Sequence, residues 1–190
     1  MRIITGTARG CRLKTSKGQD TRPTADRIKE SLFNILGTKV YGRTVLDIFA
    51  GTGNLGLEAL SRGAKQGVFI DKATAKLIEE NAQLTRLTSQ VTVYGTDVFL
   101  KLNQLATAKH SFDLIFCDPP YHKGLWEKAL LAIDKFDGLL AHNGILVVEH
   151  GADENEIPAT ESLVLVMNRR YGHTTQLSFF QRRDFVEGDS

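Results

Sequence analysis

From residue 44 onward, short apolar runs alternate with longer stretches whose apolar positions recur every three to four residues. Runs of the first kind suit strands and stretches of the second kind suit amphipathic helices, so the pattern predicts consecutive βα units around a mainly parallel sheet. The expected strands are 45–49, 67–70, 91–94, 112–117 and 145–148, with helices over 55–63, 73–85, 97–106 and 124–140. Two further apolar runs, 162–167 and 175–180, flank Arg169-Arg170-Tyr171-Gly172, whose polar residues and glycine permit a reversal, and predict a C-terminal β-hairpin. At the other end, 2–5 and 11–15 flank a glycine-containing segment and predict a small hairpin. Pro23 and Thr24 then supply start signals for a helix whose apolar residues Ile28, Leu32, Ile35 and Leu36 recur at helical spacing, with Gly37 as terminator. The fold class is therefore α/β. A hairpin and helix over 1–37 extend a body over 38–190, the whole expected as one compact unit.

Composition changes little in this picture. The 190 residues are 42% hydrophobic and 24% charged, which fits a globular chain with a sizeable core. The N-terminus lacks the apolar core and small-residue cleavage site of a signal peptide, and no stretch is apolar enough to span a bilayer, so the expected location is the cytoplasm. Cys11 and Cys117 have no paired Cys or Cys/His spacing, and His110, His142, His150 and His173 form no ligand spacing. No metal is implied, and the histidines are expected on surface turns or strand ends. Charge is more telling once divided. Residues 1–29 carry eight basic residues against Asp20 and Asp26, a net +6, whereas the remainder carries 16 basic against 20 acidic, a net −4. A basic extension on a mildly acidic body is the footprint of a polyanion contact, and equally of a solvated surface with local bias.

Candidate chemistry begins at Asp47-Ile-Phe49-Ala-Gly51-Thr-Gly53-Asn-Leu-Gly56, which follows an expected strand and opens an expected helix. Its glycines can bring backbone close to a nucleotide-like ligand, and they also match the dinucleotide-binding G-x-G-x-x-G pattern with Asp71 20 residues after Gly51. A nicotinamide-binding domain is thus a genuine alternative. Charge separates the two: Asp47 would repel a pyrophosphate but attract S-adenosylmethionine, which has no phosphate and carries a sulfonium and an ammonium. Asp71, Asp97 and Asp118 each follow a further strand, which places four carboxylates at the ligand-binding edge of such a sheet.

The most specific signal is Asp118-Pro119-Pro120-Tyr121. Two prolines directly after an apolar strand stiffen backbone that cannot continue the sheet. An aromatic amino group is a poor nucleophile because its lone pair is delocalised, so acceptors must orient its N–H groups while the nitrogen moves toward tetrahedral geometry. Asp118 and the Pro119 carbonyl can supply them, and Tyr121 offers a ring on which an unstacked base can lie. Cys117 reads as a buried strand cysteine rather than a nucleophile.

The stretch from about Thr44 to His150 resembles the class I S-adenosylmethionine-dependent methyltransferases, with their Rossmann-like sheet. The resemblance implies that the loop through Asp47, Phe49, Gly51 and Gly53 holds the methionine part, that Asp71 receives the ribose hydroxyls with Lys72 at the border, and that Asp97 with the Val98 backbone recognises adenine. The segments 2–13 and 22–36 further resemble the N-terminal signature of the RsmD family. That resemblance implies methylation of the exocyclic N2 of one guanine, nucleotide 966, in 16S ribosomal RNA. It also implies S-adenosylmethionine as cofactor, small-subunit ribosomal RNA as partner, within an assembling 30S particle, and a monomer away from membranes. Arg22 and Thr24 are then expected near the site, Arg9 and Arg12 on RNA, and Lys123 within reach of phosphate. DNA adenine-N6 and protein-glutamine methylation, and a non-catalytic RNA-binding assembly factor, stay open as alternatives.

Overall fold

The alternation of apolar runs and amphipathic stretches resolves into seven strands and six α-helices in the computed structural model, which describes residues 1–15, 23–154 and 156–188. The chain divides into two units, Met1–Asp97 and Val98–Ser190.

In the first unit, helix α1 (Pro23–Leu36) and a 3-10 turn (Gly37–Val40) lead to strand β1 (Thr44–Ile48), helix α2 (Asn54–Ser61), strand β2 (Gln66–Ile70), helix α3 (Ala75–Leu84), a second 3-10 turn (Thr88–Gln90) and strand β3 (Val91–Tyr94). The strands run parallel in the order β3-β2-β1, with Ile48 opposite Ile70 and Ile70 opposite Tyr94. Val45, Leu46, Ile48, Phe69 and Ile70 are all buried, the two-faced burial that near-continuous apolar runs require in a parallel sheet. Helix α1 starts on a proline that has no N–H to leave unpaired, and it buries Ile28, Leu32, Phe33 and Leu36 along one face.

The N-terminal hairpin forms, but not as two strands. Its ladder reduces to a bridge between Arg2 and Arg12, with Ile3 N–H donating to the Cys11 carbonyl at 2.9 Å. The physical reason is competition: the Ile4 and Thr5 amides donate to the Glu58 carboxylate on α2 at 2.7 and 3.0 Å, and the Ala8 amide donates to Ser61 Oγ at 2.9 Å. The hairpin is therefore docked on α2 by its own backbone donors. Gly6, in the left-handed region at φ 89°, makes that approach possible, since a side chain there would collide with the Ser61 carbonyl.

The second unit comprises helix α4 (Val98–Thr107), strand β4 (Phe112–Cys117), helix α5 (Leu125–Lys135), strand β5 (Leu140–Gly151), strand β6 (Leu163–Tyr171), strand β7 (Thr175–Arg182) and helix α6 (Arg183–Gly188). β4 and β5 are parallel; β7 pairs antiparallel with both β5 and β6, giving the order β4-β5-β7-β6. The expected C-terminal hairpin is β6-β7, but its reversal lies at residues 172–174. Arg169 and Arg170 stay in β6 opposite Leu177 and Gln176, because the ladder continues to Tyr171 opposite Thr175 before Gly172, at φ 61°, turns the chain. Helix α5 also ends earlier than the pattern predicted. Phe136 is extended, Gly138 is left-handed, and the freed chain begins β5 at Leu140. Asp134, in the last turn of α5, accepts from the Glu161, Ser162 and Leu163 amides, each at 2.9 Å, and so fixes the entry to β6.

Candidate functional site

The candidate cofactor loop connects β1 to α2. Phe49 (φ 58°), Gly51 (φ 56°) and Gly53 (φ 77°) are all left-handed, so the chain coils tightly as it leaves the strand. A non-glycine residue in that region is uncommon, and Phe49 marks a backbone held in place by its surroundings. Asp71, at the end of β2, holds this coil from outside: Oδ2 accepts from Gly51 N–H at 3.0 Å, while Oδ1 accepts from the Ala73 and Thr74 amides at 2.9 and 3.1 Å. Those backbone donors face a carboxylate, which leaves them unsuited to a pyrophosphate. A carboxylate offers about four acceptor positions, so with three amides bound one position is left for a further donor.

Asp47 behaves differently from Asp71. It is buried, its Oδ2 accepts from the Gly56 N–H at 2.9 Å, and burial pushes its carboxyl up to about 8. Gly56 must be glycine because any side chain would enter the Phe69 ring beside it. Asp47 thus lies beneath the first turn of α2. Asp97 is exposed beyond β3, Lys72 is exposed after Asp71, and Val98 opens α4 with its side chain buried.

The candidate catalytic loop follows β4. Cys117 is buried as the last residue of the strand; Asp118 is exposed, Pro119 buried and Pro120 exposed. Tyr121 is held through its hydroxyl, which donates to Glu149 Oε1 at 2.7 Å and lies 3.2 Å from Thr175 Oγ1. Burial raises the carboxyl of Glu149 above its ordinary value, and burial with the adjacent Glu149 raises the Tyr121 phenol. The loop's exit is fixed by Glu154. Its Oε1 accepts from the His122 amide at 3.1 Å and from Trp126 Nε1 at 3.3 Å, and its Oε2 accepts from the Gly151 amide at 2.7 Å. His122 (φ 58°) and Gly124 (φ 62°) are left-handed on either side of exposed Lys123. The ring of Tyr121 and the start of α5 are therefore pinned from β5 and from the segment just after it.

Arg9 and Arg12 are exposed on the N-terminal hairpin. Arg22 and the side chain of Thr24 lie outside the described residues. One expectation needs correction and one needs refining. Lys29 was counted with the basic extension, yet its side chain is 1% exposed and its ammonium lies 3.0 Å from Glu58 Oε2, so it adds nothing to a surface that RNA could meet. His150 was expected on a surface turn or strand end; it does lie at the end of β5 but is buried there, stacked on Trp126 at 4.4 Å between ring centroids and bonded to Ser178 Oγ at 2.8 Å. Sequence reasoning also missed Glu149 and Glu154. A signal existed for the first: a carboxylate inside the run Ile145-Leu-Val-Val148-Glu-His is costly unless it has a partner. Glu154 sits in an acidic stretch that reads as a surface connection.

The chain is 38% identical over 157 residues to ribosomal RNA small subunit methyltransferase D of Haemophilus influenzae, covering 81% of this chain and 80% of that protein. It is 31% identical over 192 residues to the protein of the same name from Escherichia coli, covering 100% of this chain and 94% of that one. Among solved structures, yhhF of Escherichia coli, provisionally described as a methyltransferase, superposes with a TM-score of 0.82 at 33% identity, over 96% of this chain and 97% of the other. The expected α/β fold, the Rossmann-like fold of class I methyltransferases, is thereby established. Residues 1–181 match the family model described as conserved hypothetical protein 95, and the chain belongs to that family, the RsmD family.

Proposed function

We propose that this chain transfers a methyl group from S-adenosylmethionine to the exocyclic N2 amino group of a guanine in small-subunit ribosomal RNA, nucleotide 966 by family resemblance. The observation that carries the reading is the loop Asp118-Pro119-Pro120-Tyr121, an exposed carboxylate and an anchored aromatic ring on stiffened backbone, in a chain similar over its length to proteins named ribosomal RNA small subunit methyltransferase D. Asp118 and the Pro119 carbonyl accept the amino hydrogens and orient the nitrogen. Pro120 keeps that carbonyl from wandering, and the ring of Tyr121 receives the flipped base.

S-adenosylmethionine supplies a methyl group already activated by the sulfonium. The first unit suits it: Asp71 is an oriented acceptor with room for one ribose hydroxyl, Asp47 is a buried acid that a nearby cation would ionise, and no backbone donor of Gly51 is left for phosphate. In this reading Phe49, Gly51 and Gly53 surround the methionine part, Lys72 borders the ribose, and Asp97 with the Val98 amide reads adenine. Residues 1–37 act as the RNA-facing extension of the body 38–190, with Arg9, Arg12, Arg22 and Lys123 toward phosphates and Thr24 near the site. None of the described helices is long and apolar enough to cross a membrane, and we place the protein in the cytoplasm, as a monomer acting on an assembling 30S particle.

The deciding experiment offers tritiated S-adenosylmethionine with immature small subunits, naked small-subunit RNA, DNA and protein, then maps the label by nuclease digestion. Label on one guanine of the small-subunit RNA is expected, and Asp118→Ala is expected to lower turnover by roughly a thousandfold with binding of S-adenosylhomocysteine retained. Label confined to DNA or protein, or absent from every RNA, sinks the proposal.

A further inference from the structure

Two buried polar side chains in the first unit hold the N-terminal hairpin with one hand and the cofactor loop with the other. Lys29 lies on the apolar face of α1, and all three of its ammonium hydrogens are used: toward the Arg2 carbonyl at 2.6 Å, Asn54 Oδ1 at 2.7 Å and Glu58 Oε2 at 3.0 Å. Asn81, fully buried on α3, accepts from the Lys14 amide at 2.7 Å, and its amide donates to the Lys14 carbonyl at 3.0 Å and to the Thr52 carbonyl at 2.9 Å. Arg2 and Lys14 lie near the two ends of the hairpin; Thr52 and Asn54 flank Gly53 in the cofactor loop. Thr52 Oγ1 adds a third tie, donating to Met1 Sδ at 3.4 Å.

The network is closed rather than incidental. Glu58 carries four partners, the Ile4 and Thr5 amides, Lys29 Nζ and Arg62 Nε, the last at 2.8 Å. Buried polar groups whose every donor and acceptor is met form a stiff unit, because moving one member strands another. Helix packing alone explains neither the placement of a lysine on an apolar face nor the use of its donors on both hairpin and loop.

We infer that Lys29 and Asn81 are positioning residues that couple the N-terminal hairpin to the cofactor loop, so that a ligand in the loop steadies the hairpin and RNA on the hairpin tightens cofactor binding. The inference rests on the reading that the Asp47–Gly56 loop holds S-adenosylmethionine. Coupling of this kind is reciprocal in binding free energy, so one direction can be measured without RNA.

The test follows amide hydrogen exchange of the full chain with and without S-adenosylhomocysteine, alongside calorimetric affinity, for the native protein, Asn54→Ala and Asn81→Ala. Asn54→Ala removes only the loop end of the Lys29 tie and leaves that ammonium bonded to Arg2 and Glu58, so it decides the matter even if Asn81→Ala does not fold. In the native protein the ligand should slow exchange at Gly51 and Gly53 and, severalfold, at Ile4, Thr5 and Lys14. In Asn54→Ala the affinity should fall about tenfold and the added protection at Ile4 and Thr5 should vanish; in Asn81→Ala it should vanish at Lys14. Protection of the loop with unchanged exchange in the hairpin, or native affinity and hairpin protection in Asn54→Ala, overturns the coupling. Failure of the native protein to bind, or binding that leaves Gly51 and Gly53 unprotected, overturns the reading of the loop and the coupling with it.

Discussion

The proposed cofactor loop and the proposed catalytic loop both follow a parallel strand, both contain left-handed residues, and both are anchored by a carboxylate, yet the carboxylates grip different things. Asp71 takes three backbone amides, one across a separation of 20 residues and two from its own next turn. Glu149 takes a side-chain hydroxyl, that of Tyr121, which lies 28 residues earlier in the chain. A loop that wraps a ligand with its main chain needs its amides fixed in direction. A loop that presents a ring needs the far end of that ring tied down, since two prolines restrain backbone but leave the tyrosine side chain free to rotate.

Asp71→Ala strikes the first kind of anchor and should have the largest effect on binding. Three amides lose a charged acceptor and the ribose loses its partner, so the dissociation constant for S-adenosylhomocysteine should rise roughly a hundredfold, since hydrogen bonds to charged groups contribute about 1.5–3 kcal/mol. Calorimetry giving a constant within threefold of the native value would refute the role assigned to Asp71.

Glu149→Ala and Tyr121→Phe strike the second kind. Each should lower methyl transfer about tenfold, with cofactor affinity unchanged and the loss carried by kcat or by KM for RNA. If Glu149 acts through the tyrosine hydroxyl, the double variant should be within about twofold of Tyr121→Phe alone, because residues in one network are not additive. Multiplying losses in the double variant would give Glu149 a separate role.

Asp47→Asn sharpens the contrast between the two carboxylates of the cofactor loop. Burial raises the folded-state value of Asp47 to about 8, against an ordinary value near 4 in the unfolded chain. Between those values the unfolded chain releases a proton that the folded chain keeps, so stability associated with this group is full below about pH 4 and is lost as pH rises through about 8. The variant carries no such proton. Its melting temperature relative to the native protein should therefore climb by about 3 °C or more over that interval and level off above it. A gap that does not vary with pH would show that Asp47 is not a buried acid.

Residues close together in sequence made the first loop legible. Gly51, Gly53 and Gly56 advertise left-handed backbone and close approach, and Asp71 falls at a strand end that hydrophobic patterning locates to within a residue. Asp118-Pro119-Pro120-Tyr121 was equally visible as a stiff turn after an apolar strand. Its supports were not, because a carboxylate on β5 and another just beyond it become partners of the loop only when β4 pairs with β5 and β5 with β7. The N-terminal hairpin failed as two strands for a related reason: its amides found Glu58 and Ser61, residues more than fifty positions away.

Sequence alone therefore determined the order of strands and helices from α1 to β7, the α/β class, the two glycine- or proline-marked loops and the basic bias of the N-terminus, since each rests on local backbone preference, on periodicity or on composition. Tertiary structure decided which polar residues are inside. Lys29, counted as surface charge, became a buried three-way tie, and His150, at a strand end as expected, became the buried stacking partner of Trp126. A side chain's burial depends on what the rest of the chain packs against it, and a buried polar group persists only where distant residues meet each of its hydrogen bonds.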